Sequence, residues 1–170
     1  MIKPAQLFAK ELKVKFWEIA YMDRFMFVND GYSEDYNPSN GSWGEHEFVS
    51  LSNKNEVIGY IRYGINQRSG VVSGLCAINF SESIVFARDL LQAIDDIFCK
   101  YKYNKLKFGV YIGNPIEKTY DRLIKKYGGR LVGIYIRDAK LIDGNWHDHK
   151  QYEIHCEDYL MNRNRSGIRR

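Results

Sequence analysis

A handful of side chains in this sequence are of types that can move a proton, hold an anion or attack a carbonyl. Ser81 and Ser83 stand just before an apolar helical stripe. A hydroxyl there caps the helix, and the free N–H groups at the positive end of its dipole receive anionic oxygens. Asn114 precedes Pro115 as an N-cap would, and a cap at a cleft edge can also hydrogen-bond a ligand. Tyr120 lies inside the helix that Pro115 opens; a phenol there can protonate a departing group or simply pack. Cys76 is a nucleophile by type, yet no motif sets a histidine base beside it, so it reads as a buried strand cysteine. His147 and His149 share one strand face only as a pair, with His155 the sole further candidate ligand, so a solvated hairpin is favoured over a metal site. No base stands out: Glu47, Glu56, Asp148 or a water chain all stay open.

The 170 residues suffice for one core, and 45 % hydrophobic with 27 % charged residues excludes global disorder or a fibrous repeat. Thirteen Tyr and nine Phe are an excess that can fill a β-rich core or line a groove. The net charge of +4 gathers in part at the C-terminus, in Arg163, Arg165, Arg169 and Arg170. Residues 161–170 are therefore expected to be a basic, flexible tail behind a single domain over residues 1–160. A frayed end is favoured over a nucleic-acid contact. Three cysteines without metal-ligand spacing fit a reducing cytosol. The absence of a long apolar run argues against a membrane partner, so the expectation is a cytoplasmic protein.

The elements that must position these residues follow from periodicity. Leu7, Leu12, Phe16, Ile19, Met22 and Met26 predict one or two amphipathic helices between Pro4 and Val28, followed by an irregular connection over residues 30–44. Three β-like runs, Glu47 to Leu51, Val57 to Asn66 and Val71 to Phe80, are separated by short polar breaks and predict an antiparallel meander. A helix follows with Ile84, Ala87, Leu90, Leu91, Ile94 and Phe98 as its stripe and Arg88, Asp89, Gln92, Asp95 and Asp96 opposite. A strand from Lys105 to Ile112, a helix from Pro115 to Tyr127 ended by Gly128 and Gly129, and strands at 130–141 and 146–157 complete the chain. Strand, crossover helix and strand in one sheet should be parallel. The expected class is α/β, with a mixed, mostly antiparallel central sheet and helices on both faces.

With this element order, the stretch from Gly113 to Tyr159 resembles the GNAT superfamily of N-acetyltransferases. The resemblance rests on Asn114 opening a helix, Tyr120 within it, and Tyr127, Gly128, Gly129, Arg130, Leu131, Val132 and Gly133 as helix end and step into a strand. The hairpin residues Arg137, Asp143, Gly144, Trp146, Asp148, Tyr152, Ile154, Glu157, Asp158 and Tyr159 are similar to the ribosomal-protein-acetylating branch. The resemblance implies the acyl-CoA N-acyltransferase fold and direct transfer of acetyl from acetyl-CoA to an amine acceptor in a ternary complex, without a metal. The acceptor it implies is a protein N-terminus, a lysine or a small amine, and a homodimer is left open. It further implies that Cys76, Ala77, Ile78 and Asn79 border the pantetheine, that Phe80, Ser81, Glu82, Ser83 and Ile84 form the phosphate loop, and that Asn114 bonds the cofactor. Tyr120 would be the general acid. Trp43, Tyr32 and Tyr36 would border the acceptor side, as a clamp or as a cover for the sheet.

One feature departs from that pattern: the family's phosphate loop carries glycines, and the matching places here hold Ser81, Ile84 and Phe86. Ile84 and Phe86 are expected to obstruct the approach of phosphate, and Glu82 adds a repelling charge. Two functions from different classes follow. One is an acetyl-CoA-dependent N-acetyltransferase; the other is a catalytically inactive interaction module on the same fold.

Overall fold

The computed structural model describes residues 1–19, 24–25, 38–39 and 42–165. Its elements in chain order are β1 (Ile2–Pro4), a 3-10 turn (Ala5–Phe8), α1 (Ala9–Ile19), β2 (Glu45–Leu51), β3 (Val57–Asn66) and β4 (Val71–Asn79). They continue with α2 (Ile84–Cys99), β5 (Lys105–Tyr111), α3 (Glu117–Tyr127), β6 (Arg130–Lys140), β7 (Trp146–His155) and α4 (Cys156–Arg165). The seven strands form one sheet in the order β1-β2-β3-β4-β5-β7-β6. Every neighbouring pair is antiparallel except β4 with β5, the pair joined through α2.

Alternation along the strands sends apolar side chains to both faces, so helices must cover both. On one face α1 sets Leu12 and Phe16 against Val49, Leu51 and Tyr60. On the other, α2, α3 and α4 bring Leu90, Ile94, Leu123, Tyr127 and Tyr159 onto Ile61, Leu106, Phe108, Tyr152 and Ile154. Much of the tyrosine excess is core: Tyr60, Tyr63, Tyr120, Tyr127, Tyr152 and Tyr159 are all buried. Tyr159 stacks at 4.6 Å on both Phe98 and Tyr127, which docks α4 onto α2 and α3.

Four expectations need correction. The buried face of α2 is Phe86, Leu90, Ala93, Ile94, Ile97 and Phe98, while Ala87 and Leu91 are exposed. Asp89, expected on the solvent face, is buried because Ser50 of β2 donates its hydroxyl to it at 2.7 Å. The last strand ends at His155, and Cys156–Arg165 is helix, so residues 161–165 of the expected tail are helical. Arg163 is held there by Asp95, with Nε at 2.6 Å from the carboxylate. The N-terminal periodicity becomes a three-residue strand and a single helix to Ile19; Met22 and Met26 lie outside the described residues.

Gly59 of β3 shows how closely α2 is seated. A Cβ built there would lie 2.0 Å from the Phe86 ring. Gly59→Ala is expected to cost about 2–3 kcal/mol by overpacking, read as a lower denaturation midpoint at unchanged slope.

Candidate active site

Parallel pairing of β4 with β5 is brief. Their register covers Val71 with Lys105 and Val72 with Leu106, and among the described residues it goes no further. Just beyond, Tyr63 of β3 faces both Gly74 and Leu75, a bulge in which Gly74 adopts φ +66°. The bulge turns the rest of β4 away from β5. A wedge-shaped gap results, flanked by the partly exposed Cys76, Ala77 and Ile78 on one side and by the end of β5 on the other. Backbone groups along such a gap can pair with an extended, amide-containing chain as an added strand would.

At the far end of β4 the loop to α2 is organised by Asn79. Its Oδ1 accepts from the N–H groups of Ser83 at 3.1 Å and Ser81 at 3.4 Å, and its amide donates to the Ser83 carbonyl. Ser83 caps α2 by accepting from the Val85 N–H at 3.2 Å. Of the two expected N-caps the second is therefore used, and Ser81 is an exposed loop residue. The expected obstruction is halved. Phe86 turns inward onto Gly59, and Ile84 alone projects, 86 % exposed, at the helix mouth. Glu82 occupies φ +50°, a conformation that favours glycine, so the loop keeps a glycine-like backbone without the residue. Glu82→Gly is expected to tighten acetyl-CoA binding about three- to tenfold in calorimetric titration, with a smaller gain at high salt and no loss of unfolding midpoint.

Tyr120 lies on the buried face of α3. Its ring is buried edge-on against Phe108 at 4.9 Å and Tyr152 at 6.3 Å. Burial raises the pKa of its phenol, and the neighbouring Cys76 and Tyr152 add to the effect. The phenol therefore keeps its proton at neutral pH. Asn114 uses its side-chain oxygen on the Ile116 N–H at 3.1 Å, in the turn that leads from β5 into α3. That turn delays the helix from the expected Pro115 to Glu117. Glu117 fastens it: the carboxylate takes the Gly113 N–H at 2.8 Å and lies 2.5 Å from Lys150. Those two hydrogen bonds, the Lys150 one larger, hold the Glu117 carboxyl below its ordinary pKa.

The carboxylates left open as bases are engaged elsewhere. Glu47 is buried and accepts from the Tyr60 hydroxyl at 2.9 Å and the Ser39 N–H at 3.0 Å. Glu56 receives the Ser52 hydroxyl in a turn, and Asp148 accepts the Arg137 N–H at 2.8 Å. The expected solvated hairpin is more ordered than its sequence implies. His149 stacks on Tyr111 of β5 at 4.5 Å, and its Nδ1 lies 2.8 Å from Asp138; His147 pairs with Asp143 at 2.9 Å. The Asp138–His149 pair depends on the register of β6 and β7, so spacing alone gave no signal of it, whereas Asp143 and His147 meet across the turn between those strands. Trp43 is exposed, and Tyr32 and Tyr36 lie outside the described residues.

Among the described residues one parallel pair parts at a bulge in a mixed sheet, with a capped helix at the gap's mouth; that is the architecture of GNAT acyltransferases, and this chain has that fold. Two similar solved structures are of one enzyme. A point mutant of spermidine N-acetyltransferase SpeG from Vibrio cholerae is 21 % identical, with a TM-score of 0.71 over 98 % of this chain and 99 % of that one. The same enzyme described in complex with manganese ions is 19 % identical, with a TM-score of 0.66 over 98 % and 96 %. No sequence-family model matches the chain, and no curated protein matches it by sequence. These two likenesses are to a spermidine enzyme and add nothing to the expected kinship of the closing hairpin with the ribosomal-protein-acetylating branch. Among the described residues no helix is long and apolar enough to cross a membrane.

Proposed function

We propose that this protein is an N-acetyltransferase that passes an acetyl group from acetyl-CoA directly to a primary amine. The observation that carries this reading is the parting of β4 from β5 beyond Val72 and Leu106, with the capped N-terminus of α2 at the end of β4. Acetyl-CoA supplies an activated thioester, whose C–S bond breaks as the amine nitrogen forms the new C–N bond. On this reading Cys76, Ala77, Ile78 and Asn79 would border the extended amide chain, Phe80, Ser81 and Ser83 would lead its phosphates to the positive end of α2, and Asn114, in the turn after β5, would hydrogen-bond it. Tyr120 gives its proton to the departing sulfur. The amine gives up its own proton to solvent as the C–N bond forms.

The test is release of free CoA thiol in the presence of a panel of amines. Spermidine and spermine are included because the structural likeness is to a spermidine enzyme, with lysine peptides and peptides bearing free N-termini beside them. Amine-dependent thiol release supports the reading. Its absence with every amine, in protein that binds acetyl-CoA, would contradict it.

A second reading has its own observation. Glu82 and the exposed Ile84 stand at the phosphate end, and Asn79 already occupies the Ser81 and Ser83 N–H groups. An interaction module that has lost acetyl-CoA would carry such a loop, and would show neither binding nor turnover.

A further inference from the structure

The turn that leaves β5 is fixed by hydrogen bonds on every side. Gly113, at φ +92°, gives its N–H to the Glu117 carboxylate at 2.8 Å, and its carbonyl accepts from Arg24 at 3.3 Å. Asn114 donates its own N–H to the Tyr111 carbonyl at 3.1 Å and accepts the Glu117 N–H at 2.9 Å, while its side-chain oxygen takes the Ile116 N–H. Residues 113–117 thus form one closed network, and it sets how Asn114 is presented.

That network is anchored from a neighbouring strand. Glu117 and Asp121 stand one turn apart on α3, a like-charge pair that weakens a helix by itself. Lys150 of β7 sets its ammonium 2.5 Å from Glu117 and 3.5 Å from Asp121, and Asp121 also accepts the Tyr152 hydroxyl at 2.8 Å. The side chains of Lys150 and Glu117 are 19 % and 18 % exposed, so solvent screens their attraction less than it would on an open surface. The register of β7 on β5 sets Lys150 opposite Val110, so pairing of the strands delivers the ammonium to the turn.

We propose that Lys150 is a positioning residue for acetyl-CoA: by holding Glu117 it fixes the Gly113–Asn114 turn at the end of β5, the strand across the gap from β4. The inference rests on the reading of this chain as an acetyl-CoA enzyme, in which Asn114 hydrogen-bonds the extended amide chain. Lys150 acts through Glu117 and needs no contact with the ligand.

The test is calorimetric titration of the full chain and of Lys150→Met and Glu117→Gln, with acetyl-CoA and separately with the adenosine bisphosphate fragment. The fragment engages only the end of α2, so the two ligands separate a local effect at the turn from a general loosening. Each variant is expected to bind acetyl-CoA about five- to tenfold more weakly, the loss of about one hydrogen bond, with fragment binding unchanged. The double variant should bind no more weakly than the weaker single one, because both act through one turn. Unchanged acetyl-CoA affinity in Lys150→Met, equal weakening of both ligands, or additive losses in the double variant would overturn the inference and leave the acetyl-CoA reading in place. A parent that binds no acetyl-CoA would overturn both.

Discussion

Tyr120→Phe is expected to lower acetyl transfer by roughly 10²-fold or more, with acetyl-CoA binding and the unfolding midpoint little changed. The split follows from the geometry. The phenyl ring keeps its edge contacts with Phe108 and Tyr152, so the core stays filled. Among the described residues the Tyr120 hydroxyl has no hydrogen-bond partner, so removing it breaks no structural bond. What is lost, on the proposed function, is the proton donor to the departing sulfur. A fall in kcat with KM nearly constant marks a group that acts only in the transition state. Unchanged turnover would make Tyr120 a packing residue, and a large stability loss with proportionate inactivation would say the same.

The second large effect is on acid stability. Glu153 is buried on β7, with its carboxylate 3.0 Å from Lys105 Nζ, 2.5 Å from Arg130 Nη2 and 3.4 Å from His155 Nε2. Burial opposes ionisation, but hydrogen bonds from Lys105, Arg130 and His155 outweigh it and bring the pKa from 4.5 to about 2. The folded state therefore binds this proton less readily than the unfolded one. The resulting stability is fully present above about pH 4.5 and is lost as pH falls toward 2. Arg130 is largely exposed, so solvent screens part of the effect, and Glu153→Gln is expected to cost about 2 kcal/mol at neutral pH. Denaturant titrations at neutral pH and near the lower limit of that window should show the parent losing this margin while the variant does not. Parallel pH dependences of the two would contradict the assignment.

The sequence made the sheet and its connections legible because strands and helices carry their own periodicity. The meander, the crossover helix and the Gly128 stop at φ +76° all lie where the pattern put them. What it hid depends on partners far along the chain. The stripe of α2 is rotated from the expected one because Gly59 makes room for Phe86 and Ser50 satisfies Asp89. Cys156–Arg165 folds as α4 because Tyr159 and Arg163 find Phe98, Tyr127 and Asp95. Read locally, that segment is only a polar run. Cys76 to Asn79 and Tyr120, the positions the family resemblance pointed to, fall at the end of β4 and within α3. The glycine-free loop was legible as a departure but not in its geometry: nothing in the residue type of Glu82 announces φ +50°. The pairing of Asp138 with His149 was invisible because it bridges two strands.

Calorimetric titration of the intact protein with acetyl-CoA tests the central claim most directly, with CoA and the adenosine bisphosphate fragment as parallel ligands. The gap between β4 and β5 and the capped end of α2 predict saturable binding in the micromolar range. The bisphosphate fragment should bind more weakly, since it engages only the helix end. No heat and no thermal shift at millimolar acetyl-CoA would contradict the account and leave a GNAT-shaped interaction module.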